Sequence, residues 1–174
     1  MQLSADYEHS SGLFAGVWGS NVDFGDEADA EVDFTLGYAG EVNSSFSFDV
    51  YYVYYTYTGY SSADEIDYGE LIANGYYNNF TFTFGYADDY AQSDESAQYV
   101  SVAYDIGGFE DINLSLQIGY SFGDAFDGSE YVDYSVFASK EVQSVELTAG
   151  LTNTDIDDDD NADLRFVVGM SYSF

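Results

Sequence analysis

Apolar and polar residues alternate one for one along most of this chain. From 112 to 122 the even positions read Ile112, Leu114, Leu116, Ile118, Tyr120 and Phe122, against Asn113, Ser115, Gln117, Gly119 and Ser121. Phe166, Val168, Met170, Tyr172 and Phe174 alternate with Arg165, Val167, Gly169, Ser171 and Ser173, and the same beat runs through 31–38 and 80–87. Successive side chains of an extended chain point to opposite faces, so a period of two predicts half-buried β-strands. No stretch carries the 3.6-residue period of an amphipathic helix. Eleven strands are expected, near residues 1–9, 13–24, 30–41, 45–58, 68–77, 80–90, 97–106, 112–123, 131–142, 144–154 and 162–174. Short turns (9–12, 40–44, 77–79, 107–111, 142–144) alternate with longer acidic loops (25–30, 59–67, 88–97, 123–130, 155–161). The fold expected is all-β: an antiparallel, up-and-down β-barrel, with residues 1–174 as one domain. Zero Pro with 17 Gly suits long, uninterrupted strands.

Alternation alone leaves open whether the apolar face meets a protein core or lipid. A soluble barrel would turn its polar face to water, and such faces usually carry many Lys, Arg and Glu. Here that face is mostly Ser, Thr, Gly, Ala and Asp. Eleven strands also enclose more space than side chains fill as simply as in an eight-stranded barrel. Aromatic residues gather at both ends of the apolar face. Tyr52, Tyr54, Tyr86, Tyr120, Phe122 and Tyr134 fall toward the long loops; Tyr7, Tyr38, Tyr77, Phe80, Tyr104, Tyr172 and Phe174 fall toward the short turns. Two aromatic girdles around an aliphatic band predict a transmembrane barrel of the bacterial outer membrane, in contact with its lipid and lipopolysaccharide. No run has the length of a transmembrane helix. The terminal Phe174, with Tyr172, Met170, Val168 and Phe166 on its face, resembles the C-terminal signal read by the bacterial barrel-insertion machinery. No export segment precedes Met1, as expected of a mature form or of a start lying further upstream.

Charge narrows the function. Against 33 Asp and Glu stand only Lys140 and Arg165, for a formal charge of −31. Almost nothing could neutralise phosphates, which excludes nucleic acid as a partner. A 20% aromatic content argues against a disordered acidic tail. The absence of Cys removes thiol chemistry, and His9, the sole His, is flanked by Glu8 and Ser10, whose side chains alternate faces on a strand and form no triad. No enzymatic activity is expected.

The polar face carries Glu31, Asp33, Asp49, Glu70, Asp105, Asp133, Glu146 and Asp163, opposed by Arg165. With small Ser, Thr and Gly between them, these residues predict an acidic lumen: a narrow, porin-like channel for small cations or neutral solutes. The alternative is a non-conducting structural or assembly protein of the cell surface, its interior plugged by the inward Tyr51, Tyr55, Tyr57, Tyr99, Tyr131 and Phe137. Arg165 either pinches the mouth with Asp133 or Asp163 or merely neutralises neighbouring carboxylates. Lys140, on the apolar face near a short turn, snorkels to the interface. Asp157, Asp158, Asp159 and Asp160 are candidate metal ligands, read against a plain solvated charge run, and the acidic loops are expected to bind Ca²⁺ or Mg²⁺ diffusely. No cofactor is expected.

Residues 10–25 (SSGLFAGVWGSNVDFG), 54–59 (YYTYTG), 133–136 (DYSV) and 151–157 (LTNTDID) resemble the proteobacterial Gcw_chp family. The resemblance implies an outer-membrane barrel and no particular activity. The family's pattern begins one strand before the position of Gln2. Strand parity raises the same point. The last strand of a bacterial barrel runs toward the periplasm, where the short turns lie, so the first strand would begin at the extracellular end. Antiparallel closure needs an even strand number. Eleven strands therefore imply a twelfth, a parallel meeting of the first and last strands, or strand pairing with another chain in a homo-oligomer.

Overall fold

The computed structural model describes residues 1–22, 29–60, 66–109, 111–157 and 162–173. Eleven strands follow one another in a single sheet: β1 (Gln2–Glu8), β2 (Leu13–Asn21), β3 (Ala30–Asn43), β4 (Phe46–Thr58), β5 (Tyr68–Tyr77), β6 (Phe80–Ala87), β7 (Ala97–Phe109), β8 (Ile112–Phe122), β9 (Tyr131–Val142), β10 (Val145–Thr154) and β11 (Arg165–Tyr172). Every strand pairs antiparallel with its sequence neighbours, giving the expected up-and-down order. Tight turns set the register at one end. In the first, the Gly12 amide donates to the His9 carbonyl (2.9 Å) and the His9 amide to that of Leu13 (2.8 Å).

Pairing matches like with like. Asp33 lies between Trp18 and Tyr55, and Thr83 between Asn74 and Ser101, on the polar face. Leu116 lies between Tyr104 and Val136 on the apolar one. A slip of one residue would mix the two faces, so the alternation itself specifies the register.

The apolar face is the outer one. Phe34 is 50% exposed, Leu116 44% and Val168 68%, whereas Asp33 is 9% and Ser121 5% exposed. Among the described residues the buried apolar side chains are only Val53, Ala87 and Ala97. A protein this inverted has no conventional core. Its hydrophobic surface needs lipid to cover it, as in a transmembrane barrel. Tyr52, Tyr54, Tyr86, Tyr120 and Tyr134 point outward near the long loops, and Tyr7, Tyr38, Tyr77, Phe80, Tyr104 and Tyr172 near the short turns, so the girdles fall where the alternation places them.

Three of the boundary differences from expectation bear on named residues. β7 continues through Phe109 because a bulge between Asp105 and Gly107, with Gly107 at φ +91°, absorbs an extra residue. β6 ends at Ala87, and Tyr90 lies instead in a 3₁₀ turn (Tyr90–Gln92). β11 starts at Arg165, which leaves Asp163 exposed in the preceding bend rather than on the strand. The edges remain open: no ladder joins β1 to β11 among the described residues, and both strands are exposed along their whole length. Parallel closure of the first strand onto the last is therefore not what the structure shows.

Candidate functional site

On the polar inner face, neutral donors meet carboxylates. Glu31 and Tyr57 are directly opposed on β3 and β4, and the Tyr57 hydroxyl donates to Glu31 Oε1 at 3.0 Å. One step along, the Tyr55 hydroxyl reaches diagonally to Glu70 Oε2 on β5 at 2.8 Å. Asp49, Asn74 and Thr83 form one row across β4, β5 and β6. Asn74 Nδ2 donates to Asp49 Oδ1 (2.9 Å), the Tyr76 hydroxyl to Asp49 Oδ2 (2.5 Å) and Thr83 Oγ1 to Asn74 Oδ1 (2.7 Å). On the far wall Tyr99 Oη donates to Asp133 Oδ1 (3.2 Å), and Gln117 Nε2 to Tyr99 Oη (3.1 Å). Hydrogen bonds to a carboxylate are stronger than neutral ones, so these phenols and amides fix the acids without cancelling their charge.

Glycine makes room for this arrangement. A Cβ at Gly85 would overlap the Glu70 carboxylate, and one at Gly119 would overlap both the Tyr99 ring and Asp133 Oδ2. Two oxygens in the site are orphaned. Asp33 Oδ1 and Asp133 Oδ2 are buried with no hydrogen-bond partner, an arrangement that is costly unless something else supplies the bond.

Rings from two long loops form a chain beside Glu31 and Glu70. Tyr55 stacks on Tyr68 (centroids 4.7 Å apart), Tyr68 meets Tyr90 edge-on (4.9 Å), Tyr90 meets Phe126 (5.2 Å), and Phe126 meets Tyr131 of β9 (5.8 Å). The path runs from the β4–β5 wall to β9 through residues that belong to no strand. Backbone geometry holds the loops there. Ala91, Gln92 and Asp94 take positive φ, the Tyr90 amide donates to the Glu95 carbonyl (2.9 Å), and the Ala125 amide to that of Ser96 (3.0 Å). Gly123 sits at φ +120° with Ser96 O where a Cβ would be, so glycine is required for this approach. Burial pushes the Tyr90 phenol above its ordinary value, and nearby Tyr131, Glu70 and Glu31 push it the same way.

The structure thus gathers Glu31, Asp33, Glu70 and Asp133 toward the long-loop end, with Asp49 deeper. Asp105 and Glu146 are exposed near the short turns, Glu146 directly opposite Glu141. Arg165 opposes Thr152, one inward position deeper than Asp133. Asp157 is exposed; Asp158, Asp159 and Asp160, like Phe174, lie outside the described residues. Among the described residues no group of three or more His, Cys, Asp or Glu is placed to hold a metal ion. His9 Nδ1 is 2.8 Å from Ser11 Oγ within its turn. Sequence reasoning missed Tyr68, Tyr90 and Phe126, although Phe126 is the lone aromatic residue of its acidic loop, and it assigned no role to Gly85 and Gly119.

These features define the class: an antiparallel, up-and-down transmembrane β-barrel protein. The family model described as "Bacterial protein of unknown function (Gcw_chp)" matches residues 1–171, and the chain belongs to that family. No curated protein matches it. Among solved structures it is similar to OccAB4 of Acinetobacter baumannii, with 14% identity, a TM-score of 0.49, and 97% of this chain covering 50% of that one. It is also similar to a doubly substituted OccD1 (OprD), with 12% identity, a TM-score of 0.50, and 97% of this chain covering 57% of that one. The chain thus spans about half the length of these structures, and the second likeness supports the fold alone.

Proposed function

We propose that this protein works in the bacterial outer membrane as a narrow, porin-like channel for small cations or neutral solutes. One observation carries the reading: the inner face holds Glu31, Asp49, Glu70 and Asp133 on neutral donors, with Asp33 beside them, while the chain's other cation besides Arg165, Lys140, lies on the outer face. Rings of unneutralised carboxylates in a low-dielectric wall attract cations and repel anions. The likeness to the OccD1 (OprD) barrel agrees with the fold this requires. Lipid and lipopolysaccharide would surround the girdles, the Phe174 end would serve insertion, and Ca²⁺ or Mg²⁺ would screen the acidic loops diffusely. Full-length protein, refolded and inserted into a planar bilayer under a KCl gradient, should pass current with a reversal potential on the cation side. An insulating protein, or one that prefers chloride, overturns the proposal. The aromatic path over the mouth and the open edges favour a second reading, a non-conducting surface or assembly protein, which an insulating but correctly inserted barrel would support.

A further inference from the structure

We infer that the long-loop mouth binds a primary organic ammonium ion between the aromatic bridge and the carboxylates of Glu31, Asp33 and Glu70, with Asp33 setting the preference for an N–H-bearing cation and Tyr90 and Phe126 holding its alkyl stem. The inference names the solute class of the proposed channel and rests on that reading only for passage, not for binding. Asp33 is 9% exposed, yet its Oδ1 has no hydrogen-bond partner. An acceptor this buried points to a donor that comes from outside the chain. Two phenols on the same face are already engaged: the Tyr55 hydroxyl is bonded to Glu70 and the Tyr57 hydroxyl to Glu31.

The surroundings select the donor. A hard divalent ion takes six or more oxygens, and no group of three or more acidic residues is placed to hold a metal among the described residues. Tyr68, Tyr90 and Phe126 instead add aromatic rings, which suit a cation carrying an alkyl stem. An N–H-bearing ammonium satisfies both halves: one N–H donates a hydrogen bond to Asp33, its charge faces Glu31 and Glu70, and its stem meets the rings. A quaternary ammonium meets only the second half, because it has no hydrogen to give.

Trp18, the chain's only Trp, is the cross-strand neighbour of Asp33 and reports on the site. Refolded full-length protein in detergent is titrated with butylammonium, tetramethylammonium, MgCl₂ and NaCl while Trp18 fluorescence is followed. Butylammonium should give a saturable change about tenfold tighter than tetramethylammonium, the difference one charge-assisted hydrogen bond supplies. Asp33→Asn should abolish that preference; Tyr90→Ala and Phe126→Ala should weaken both ammonium ions about equally. Glu141→Gln, exposed near the short turns, should change nothing, and heat-modified gel mobility shows that each variant is folded. A response matched by NaCl, or a preference retained in Asp33→Asn, overturns the inference. Bilayer recordings separate the two readings: an insulating protein that still binds butylammonium sinks the channel alone, and a conducting one with an unresponsive Trp18 sinks the ammonium site alone.

Discussion

Replacing Leu116 by Arg tests the assignment of the apolar face to lipid. Leu116 sits mid-strand in β8, outward, 44% exposed, between Tyr104 and Val136 and in line with Leu114 and Ile118. Among the described residues its neighbours on that face carry no carboxylate. A strand rises about 3.3 Å per residue and tilts about 40°, or roughly 2.5 Å of depth per residue. Ile112 therefore lies about 10 Å away in depth and Phe122 about 15 Å. An extended Arg side chain spans only roughly 7 Å, so its guanidinium stays short of either interface. The cost should be about 2–3 kcal/mol, within the range for Arg near the bilayer centre. That is a factor of roughly 30 to 150 in the folding equilibrium. Ser115→Arg is the control. It points to the inner face, opposite Asp105, and should cost less than about 1 kcal/mol. Equilibrium unfolding from lipid vesicles in guanidinium, followed by Trp18 fluorescence, measures both. Equal losses, or a larger loss for Ser115→Arg, would refute the assignment of faces.

Gly119→Val should destabilise the barrel by roughly 1–3 kcal/mol, because its side chain needs the space of the Tyr99 ring and Asp133; an unchanged guanidinium midpoint would show that this contact is dispensable. Asp33→Asn, measured without organic cations, should raise stability by about 1 kcal/mol by removing the charge beside an orphaned buried oxygen. A loss of stability would mean that the carboxylate is bonded within the chain. Ala5 and Val17 are directly paired across β1 and β2, and with no native Cys the pair Ala5→Cys/Val17→Cys should oxidise within one chain. Ala5→Cys/Val168→Cys, across the open edges, should stay reduced, and an intramolecular disulfide there on a non-reducing gel would show direct β1–β11 closure.

The strands were legible because one signal governs them. In β3, β6, β8 and β11 each outward residue is apolar and each inward one small or polar, with Val167 the departure, so period two fixes both the faces and the register. The inner carboxylates could be named for the same reason, but not which of them meet. Tyr55 reaches Glu70 diagonally rather than across its own row, and Gly85 and Gly119 decide how far the acids lean. The mouth was illegible for a different reason. Alternation carries the β6 pattern on toward Tyr90, whereas positive φ at Ala91, Gln92 and Asp94 turns the chain inward. Nothing in the pattern of a surface loop announces that Tyr90 and Phe126 will meet each other.

Strand direction links the open edges to the chemistry of the lumen. In an antiparallel order of eleven strands, β1 and β11 run the same way. A second copy inserted with the same orientation offers edges of that same direction, so two copies can meet only in parallel. An antiparallel seam requires a strand of opposite sense lying between the two edges. One such strand would hold Ala5 and Val168 about 10 Å apart, two strand spacings, beyond the reach of a disulfide. Direct parallel meeting would bring them within bonding range, inside one chain or between two. The seam matters to function because Glu31 and Asp33 stand on β3, with only β2 and β1 between them and the opening. Lipid at that gap would leave main-chain groups unpaired, at several kcal/mol each, and would drain the field that the carboxylates create. Cation selectivity should therefore follow the seam: preparations in which β1 is protected from hydrogen exchange should be the ones that conduct.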